Sequence, residues 1–107
     1  MIEELTARQV AERLRGPDPP LLVDVREPWE HQIAAIAGAH HIPLGALPSR
    51  VGELPRDRPI VLHCHHGGRS LQAARWLESR GYQQLANMNG GIDVWSQTVD
   101  QAVPRYT

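Results

Sequence analysis

Two short apolar runs constrain the fold of this chain more than any other feature of its sequence. Residues 21–25 read Leu-Leu-Val-Asp-Val and residues 59–63 read Pro-Ile-Val-Leu-His, and neither run alternates between apolar and polar residues. Strands that are buried on both faces have this character, whereas strands with one face in water alternate. Such strands belong to parallel sheets, whose crossover connections are usually helices. The two runs therefore predict an α/β protein.

Helical patterns lie between and beyond these runs. Thr6 to Gln9 has the pattern of a capping box and predicts a short helix that carries Val10 and Leu14 on one face. The longest helix is predicted from Ser70 to Arg80, ahead of Gly81 as a C-cap. Shorter elements are predicted as a helical turn at 28–32, a strand at 41–42, a helix at 48–54 and a strand at 85–88. This order predicts an open, mainly parallel β-sheet with helices on both faces.

The composition excludes several classes of function. The chain has 107 residues, of which 41% are apolar and 21% charged, which fits one globular domain without a linker. Its formal net charge is -1 and its arginines are scattered singly, so we expect no nucleic acid partner. No apolar run has the length of a membrane span, and we expect no membrane partner. Residues 1–4 contain two acids rather than the basic start of a signal peptide, so we expect a cytoplasmic protein.

One loop carries the reactive chemistry. The only cysteine, Cys64, directly follows the second apolar run and cannot form an internal disulfide. Ligands bind at the carboxyl ends of parallel strands, where the N-terminus of the next helix favours an anion. Glycines at 67 and 68 allow backbone N–H groups to turn inward around the sulfur, which would stabilise a thiolate. Arg69, Arg26, or one of His65 and His66 could supply a nearby cation.

The loop also carries a resemblance to a known family. Residues 64–70 read Cys-His-His-Gly-Gly-Arg-Ser, which resembles the rhodanese active-site loop C-x-x-G-x-R-S at every defined position. The likeness continues through residues 22–27 (Leu-Val-Asp-Val-Arg-Glu), 38–39, 42–44 and 90–95 (Gly-Gly-Ile-Asp-Val-Trp). The likeness covers roughly residues 5–97. We therefore expect residues 1–107 to form one domain, with its core at residues 5–97 and a C-terminal tail at residues 98–107. One departure is the segment 34–39, which lacks the histidine that many members have ahead of Ile-Pro-Gly-Ala.

The resemblance implies a rhodanese-like fold and a sulfurtransferase. In this reaction Cys64 takes a sulfane sulfur from thiosulfate or a persulfide donor, holds it as a persulfide, and passes it to a thiol, cyanide or a protein acceptor. His65, His66, Gly67, Gly68 and Ser70 would form the active-site loop, and Arg69 would brace it and add positive potential. Asp24 and Arg26 would either tie the loop down or contact the substrate. The reaction requires no cofactor and no metal.

A phosphatase or arsenate reductase is the nearest enzymatic alternative. Related domains of that kind have a loop that resembles H-C-x5-R, whereas four residues separate Cys64 from Arg69 here. The shorter loop encloses a smaller volume, which suits one sulfur atom better than the oxygens of a phosphate. We therefore expect sulfur chemistry.

The loop sequence is also compatible with two other kinds of function, a metal site and an interaction module. His63, Cys64, His65 and His66 are potential metal ligands, but adjacent residues seldom converge on one tetrahedral ion. A catalytically silent interaction module on the same fold would typically lack the cysteine, and Cys64 is present.

Overall fold

The computed structural model describes residues 1–107, and its centre is the second apolar run. That run forms strand β4 (Ile60–His63), which lies between β2 (Leu21–Asp24) and β5 (Leu85–Met88). The edge strands are β1 (Ile2–Leu5) beside β5 and β3 (His40–His41) beside β2. All four strand pairings are parallel, with Asp24 opposite His63 and Leu62 opposite Asn87. The expected open parallel sheet is confirmed.

Four helices connect the strands and a fifth follows the last strand, and the four connecting helices follow the sequence predictions. Helix α1 (Ala7–Leu14) begins at Thr6 with the predicted capping box, and α4 (Gly68–Ser79) begins two residues earlier than expected. Helix α2 (Pro28–Ile33) is the predicted helical turn. The helix predicted at 48–54 is a short α3 (Leu47–Arg50) followed by a 3₁₀ turn over Val51–Glu53. A further 3₁₀ turn covers Leu44–Ala46, and helix α5 (Gly91–Thr98), for which the periodicity made no prediction, ends the regular structure.

The sheet buries an apolar cluster on each face. One cluster joins alternate residues of β2 and β4, including Val23 and Leu62, to Leu77 of α4 and Leu47 of α3. The other joins the intervening residues of the same strands, including Leu22 and Val61, to α1 and α5. Because neighbouring residues of a strand point to opposite faces, the unbroken apolar runs are required for a sheet covered on both sides. This confirms helices on both faces.

The C-terminal segment beyond α5 folds back onto the domain. Val103 and Tyr106 pack against the cluster that contains α1 and α5. The ring of Tyr106 stacks on His65 of the loop at residues 64–70. The segment that the sequence predicted to be a tail therefore contacts the candidate site. None of the five helices combines the length and the apolar character that a membrane crossing requires.

Candidate active site

Cys64 lies at the carboxyl end of β4, where the chain turns into α4. Its sulfur accepts hydrogen bonds from the backbone N–H groups of Gly67, 3.1 Å away, and Ser70, 3.4 Å away. The hydroxyl of Ser70 also lies 3.4 Å from the sulfur. Cys64 is only 1% exposed, and the N-terminus of the twelve-residue α4 lies directly below it. The site is therefore built to hold a sulfur anion, since N–H groups and a helix N-terminus both favour negative charge.

The two loop glycines differ in what they contribute. Gly67 has a φ of +111°, in the left-handed region, and a Cβ added to it would lie 3.3 Å from the backbone nitrogen of Gly90. Gly68 has an ordinary φ, and an added Cβ would meet nothing within 4 Å. Gly67 alone therefore provides the turn that aims the N–H groups at Cys64, because left-handed backbone is costly for other residues.

The loop carbonyls point away from the sulfur, toward the start of α5. The N–H group of Ile92 donates to the carbonyl of Cys64 at 2.9 Å, and that of Asp93 donates to the carbonyl of His65 at 3.2 Å. An added Cβ on Gly91 would lie 2.5 Å from the Cys64 carbonyl oxygen, so this approach requires glycine. The N-terminal amides of α5 thus satisfy the outward side of the loop, which leaves the inward N–H groups for the sulfur.

Asn87 supports the loop from strand β5. Its side-chain oxygen lies 2.5 Å from the hydroxyl of Ser70, and its amide nitrogen donates to the carbonyl of Gly67 and to Glu4. Asn87 is 2% exposed. It therefore fixes two of the residues that contact the Cys64 sulfur. Nothing in the sequence pointed to this role, because Asn87 lies inside a predicted strand.

Asp24 and Arg26 form a buried pair beneath the loop. Both side chains are fully buried, and the Arg26 guanidinium donates twice to the Asp24 carboxylate, at 2.9 and 2.7 Å. The three remaining N–H groups of Arg26 donate to the carbonyls of Glu30 and Ala34 and to the hydroxyl of Tyr106. All five donors of Arg26 are thus used within the protein, which leaves no N–H group of this side chain for another partner.

The Asp24 carboxylate is ionised in this setting. Burial raises the pKa of Asp24, but the hydrogen bonds from Arg26 and His31 and the nearby His63 ring lower it by more. The net effect is a pKa well below the usual range. Arg26 therefore has a charged partner at every physiological pH.

Arg69 is held by a carboxylate that the sequence analysis did not identify. Its guanidinium forms a two-pronged pair with Glu30 of α2, with distances of 2.6 and 2.8 Å. The hydroxyl of Tyr106 donates to the same carboxylate at 2.7 Å, and the N–H of Glu27 donates at 3.1 Å. The capping-box spacing of Glu27 and Glu30 was a possible signal for Glu30. Nothing in the sequence pointed to Tyr106.

The loop histidines stack at the rim of the site. The ring of His65 lies between Tyr106, with centroids 4.0 Å apart, and His66, with centroids 3.9 Å apart. Burial, followed by the neighbouring His66, lowers the pKa of His65. His66 itself is largely exposed. These two residues thus form a stacked wall with Tyr106.

His63 is fully buried next to Asp24. Its Nε2 has no hydrogen-bond partner and lies 3.9 Å from an Asp24 oxygen. Burial lowers the pKa of His63 to about 4, which outweighs the opposing effect of Asp24. The ring is therefore neutral at physiological pH.

Two groups of side chains bring three potential metal-ligand atoms close together. They are Asp24, His31 and His41, and His65, His66 and Asp93. In the first group Asp24 bonds to His31 at 2.9 Å, and His41 Nε2 donates to the carbonyl of Arg26 at 2.7 Å, so that nitrogen carries a hydrogen. In the second group Arg105 binds both oxygens of Asp93. The side chains of the first group are thus engaged in hydrogen bonds within the protein. In the second group only the Asp93 carboxylate is so engaged, and Nε2 of His65 is buried without a partner.

Comparisons with known proteins match nearly the whole chain. The family model for the rhodanese-like domain matches residues 6–98. A sulfurtransferase of Allochromatium vinosum is 36% identical over 97 residues, covering 91% of each protein. The thiosulfate sulfurtransferase GlpE of Stutzerimonas stutzeri is 30% identical over 78 residues, covering 73% of this chain and 72% of that protein. The crystal structure of a rhodanese-related protein from Thermoplasma volcanium is 29% identical, with a TM-score of 0.82 over 91% of this chain and 93% of that one.

Proposed function

The chain belongs to the rhodanese-like family, in which relatives are sulfurtransferases, and from this premise we propose that it transfers sulfane sulfur through a persulfide on Cys64. The donor is thiosulfate or a persulfide. The acceptor is a thiol, cyanide or a protein. The observation that carries the proposal is the pair of backbone N–H groups directed at a buried sulfur, together with the N-terminus of α4.

The reaction has two displacement steps. In the first, the Cys64 thiolate attacks the outer sulfur of the donor, the donor S–S bond breaks, and the leaving group departs with the bonding electrons. In the second, the acceptor attacks the outer sulfur of the Cys64 persulfide and the Cys64 thiolate is released. The charge on sulfur is present before and after each step, so the same N–H groups stabilise each form.

The surrounding residues have supporting roles in this proposal. Gly67 and Ser70 donate to the sulfur, and Arg69 with Glu30 fixes the start of α4. Arg26, fixed by Asp24, bonds to the hydroxyl of Tyr106, whose ring stacks on His65 of the loop. Since the chain has a single cysteine, the sulfur acceptor must be another molecule. A free thiol as nucleophile fits a reducing compartment, and we propose the cytoplasm.

The decisive experiment compares wild-type protein with Cys64→Ser. We expect intact-mass spectra of wild-type protein to gain one sulfur atom on exposure to thiosulfate or a persulfide, and to lose it to an acceptor. Cys64→Ser should show neither change in mass. Its thermal transition should stay close to that of wild type, because serine is only slightly smaller than cysteine and keeps the loop contacts. Normal turnover by the serine variant would refute the mechanism.

A further inference from the structure

The three arginines that contact the loop or its immediate supports are each paired with a carboxylate. Arg26 is bound to Asp24, Arg69 to Glu30, and Arg105 to Asp93. The last pair adjoins the loop because the N–H of Asp93 bonds to the carbonyl of His65. None of the three therefore offers an unpaired positive charge to a substrate at the sulfur.

The pair of Arg69 with Glu30 is the one that matters most for substrate, since Arg69 is part of the loop. Glu30 is 3% exposed and is held by four hydrogen bonds, from Arg69, Tyr106 and Glu27. The hydrogen bond from Arg69 is the main reason that the pKa of Glu30 falls to about 2, so the carboxylate is charged at neutral pH. The guanidinium charge is thus balanced by a fixed negative charge next to it.

The nearby histidines do not replace that charge. His63 is neutral at physiological pH because it is fully buried, and burial acts on His65 in the same direction. What stabilises negative charge at Cys64 is therefore the set of backbone N–H groups and the dipole of α4, which surround one sulfur atom.

Thiosulfate and an alkyl persulfide make different demands on such a site. Thiosulfate is a dianion whose sulfonate group carries charge away from the transferred sulfur. A persulfide carries its charge on the terminal sulfur, where the N–H groups lie. Thus, if the proposed sulfur transfer holds, we propose that a singly charged alkyl persulfide is the preferred donor, and that Glu30 is a positioning residue that sets this preference by neutralising Arg69.

The transfer balances without an added reagent. The Cys64 thiolate attacks the terminal sulfur of the persulfide, and the internal S–S bond of the donor breaks. The departing alkyl thiolate takes the bonding electrons, and it then takes a proton from water. The products are a Cys64 persulfide anion and a free alkyl thiol, with hydroxide from the water.

The first test replaces Glu30 with glutamine, which has nearly the same shape and no charge. We measure kcat/KM for thiosulfate and for cysteine persulfide with one common acceptor. In Glu30→Gln the ratio of the thiosulfate value to the persulfide value should rise about tenfold, because Arg69 gains an unbalanced charge that favours the dianion. A merely structural role for Glu30 would lower both values together and leave the ratio unchanged.

Glu3→Gln is the matched control. Glu3 forms a similar two-pronged pair with Arg13, at 3.1 and 3.3 Å, and lines a groove with Pro20 and Pro59 at the amino-terminal edge of the sheet. Its donor ratio should equal that of wild type. If the ratio for Glu30→Gln lies within about twofold of the ratio for Glu3→Gln, the inference is wrong.

Alkylation of Cys64 tests the charge argument without sulfur transfer. The rate with iodoacetate, an anion, is divided by the rate with neutral iodoacetamide, which cancels differences in loop opening. This quotient should rise about fivefold in Glu30→Gln and stay constant in Glu3→Gln. No rise in Glu30→Gln would overturn the inference.

A measurement on wild-type protein covers the case in which Glu30→Gln does not fold. Between about 20 mM and about 300 mM salt, kcat/KM for thiosulfate should change by less than about twofold, because no unpaired cation attracts the dianion. A fall of about fivefold or more would overturn the inference. Absence of any sulfur on Cys64 from either donor would instead refute the proposed function itself.

Discussion

Gly67 and Gly68 are neighbours in the loop, but only Gly67 has backbone that requires glycine. We predict that Gly67→Ala lowers the free energy of unfolding by about 1–2 kcal/mol, the cost of placing a side chain in left-handed backbone. Gly68→Ala should leave stability equal or raise it by up to about 1 kcal/mol, since its position is helical and open. Urea unfolding of both variants checks this prediction. Equal losses in the two would contradict the structural distinction.

His63 makes the stability of the protein depend on pH. Its pKa is about 4 in the fold and near 6.5 in the unfolded chain, so between these values the unfolded chain binds more protons. Stability is therefore fully present above about pH 6.5 and falls as the pH drops toward 4, by about 1.4 kcal/mol per pH unit at the steepest. Urea unfolding between pH 5 and pH 7.5 measures the slope. His63→Asn should flatten it, and an unchanged slope in that variant would assign the effect to other groups.

Individual residues also mark the limit of the sequence analysis. Cys64, Gly67 and Ser70 could be found because they are contiguous in one loop. Glu30, Asn87 and Tyr106 reach the same site from α2, β5 and the C-terminal segment, and each belongs to a local pattern with another explanation. Contacts between distant segments have no local signature when only one sequence is read, so the contacts of these residues with the loop could not be predicted.

At the scale of elements, the C-terminal segment is held to the site by Tyr106 and by the pair of Arg105 with Asp93. Tyr106→Phe removes the hydroxyl that bonds to Glu30 and Arg26 and keeps the ring that stacks on His65. We predict that trypsin cleaves after Arg105 several times faster in this variant, because the segment detaches more often. The amount of the dipeptide of residues 106–107 released over time, identified by its mass, gives the cleavage rate.

Tyr82→Phe is the control for that prediction. It removes another buried hydroxyl, which donates to the carbonyls of Leu54 and Val51 on the opposite face of the sheet. Each of the two variants loses one hydroxyl and should lose about 1 kcal/mol of stability. In Tyr82→Phe, however, cleavage after Arg105 should not change. Equal acceleration in both variants would show that cleavage follows global stability instead of the Tyr106 hydroxyl.

The elements with a continuous or periodic apolar pattern in the sequence are buried ones. Strands β2, β4 and β5 and helices α1 and α4 carry continuous or periodic apolar residues, because they pack within the protein. Strand β1 (Ile2–Leu5) is an edge strand with two central glutamates, and its pairing with β5 gives it order that its own residues do not specify. Helix α5 begins with Gly91 and contains residues of moderate helix propensity, so its formation depends on packing against α1.

At the scale of the whole molecule, the two apolar clusters share one sheet and should unfold together. Trp76 packs against the first cluster and Trp95 lies in the second. With the third tryptophan, Trp29, also replaced by Phe, we predict that Trp76→Phe and Trp95→Phe variants each give the same urea midpoint by fluorescence and by circular dichroism. The fluorescence of each variant then comes only from the tryptophan on the other face. This is the behaviour of the single domain that we propose. Separate midpoints for the two faces would refute it.

Because α5 donates hydrogen bonds to the loop carbonyls, the loop alone would not keep its structure in another protein. Grafting residues 64–70 between a strand and a helix of another parallel sheet would transplant the nucleophile and its donors. It would leave behind the amides of Ile92 and Asp93, which hold the carbonyls of Cys64 and His65 turned outward. Without these amides, the two carbonyls would need other hydrogen-bond partners. Nothing would then hold the carbonyls outward, and the N–H groups of the loop would no longer be held toward the sulfur. A successful graft must therefore also include residues 90–93, which are the N-cap and the first residues of α5.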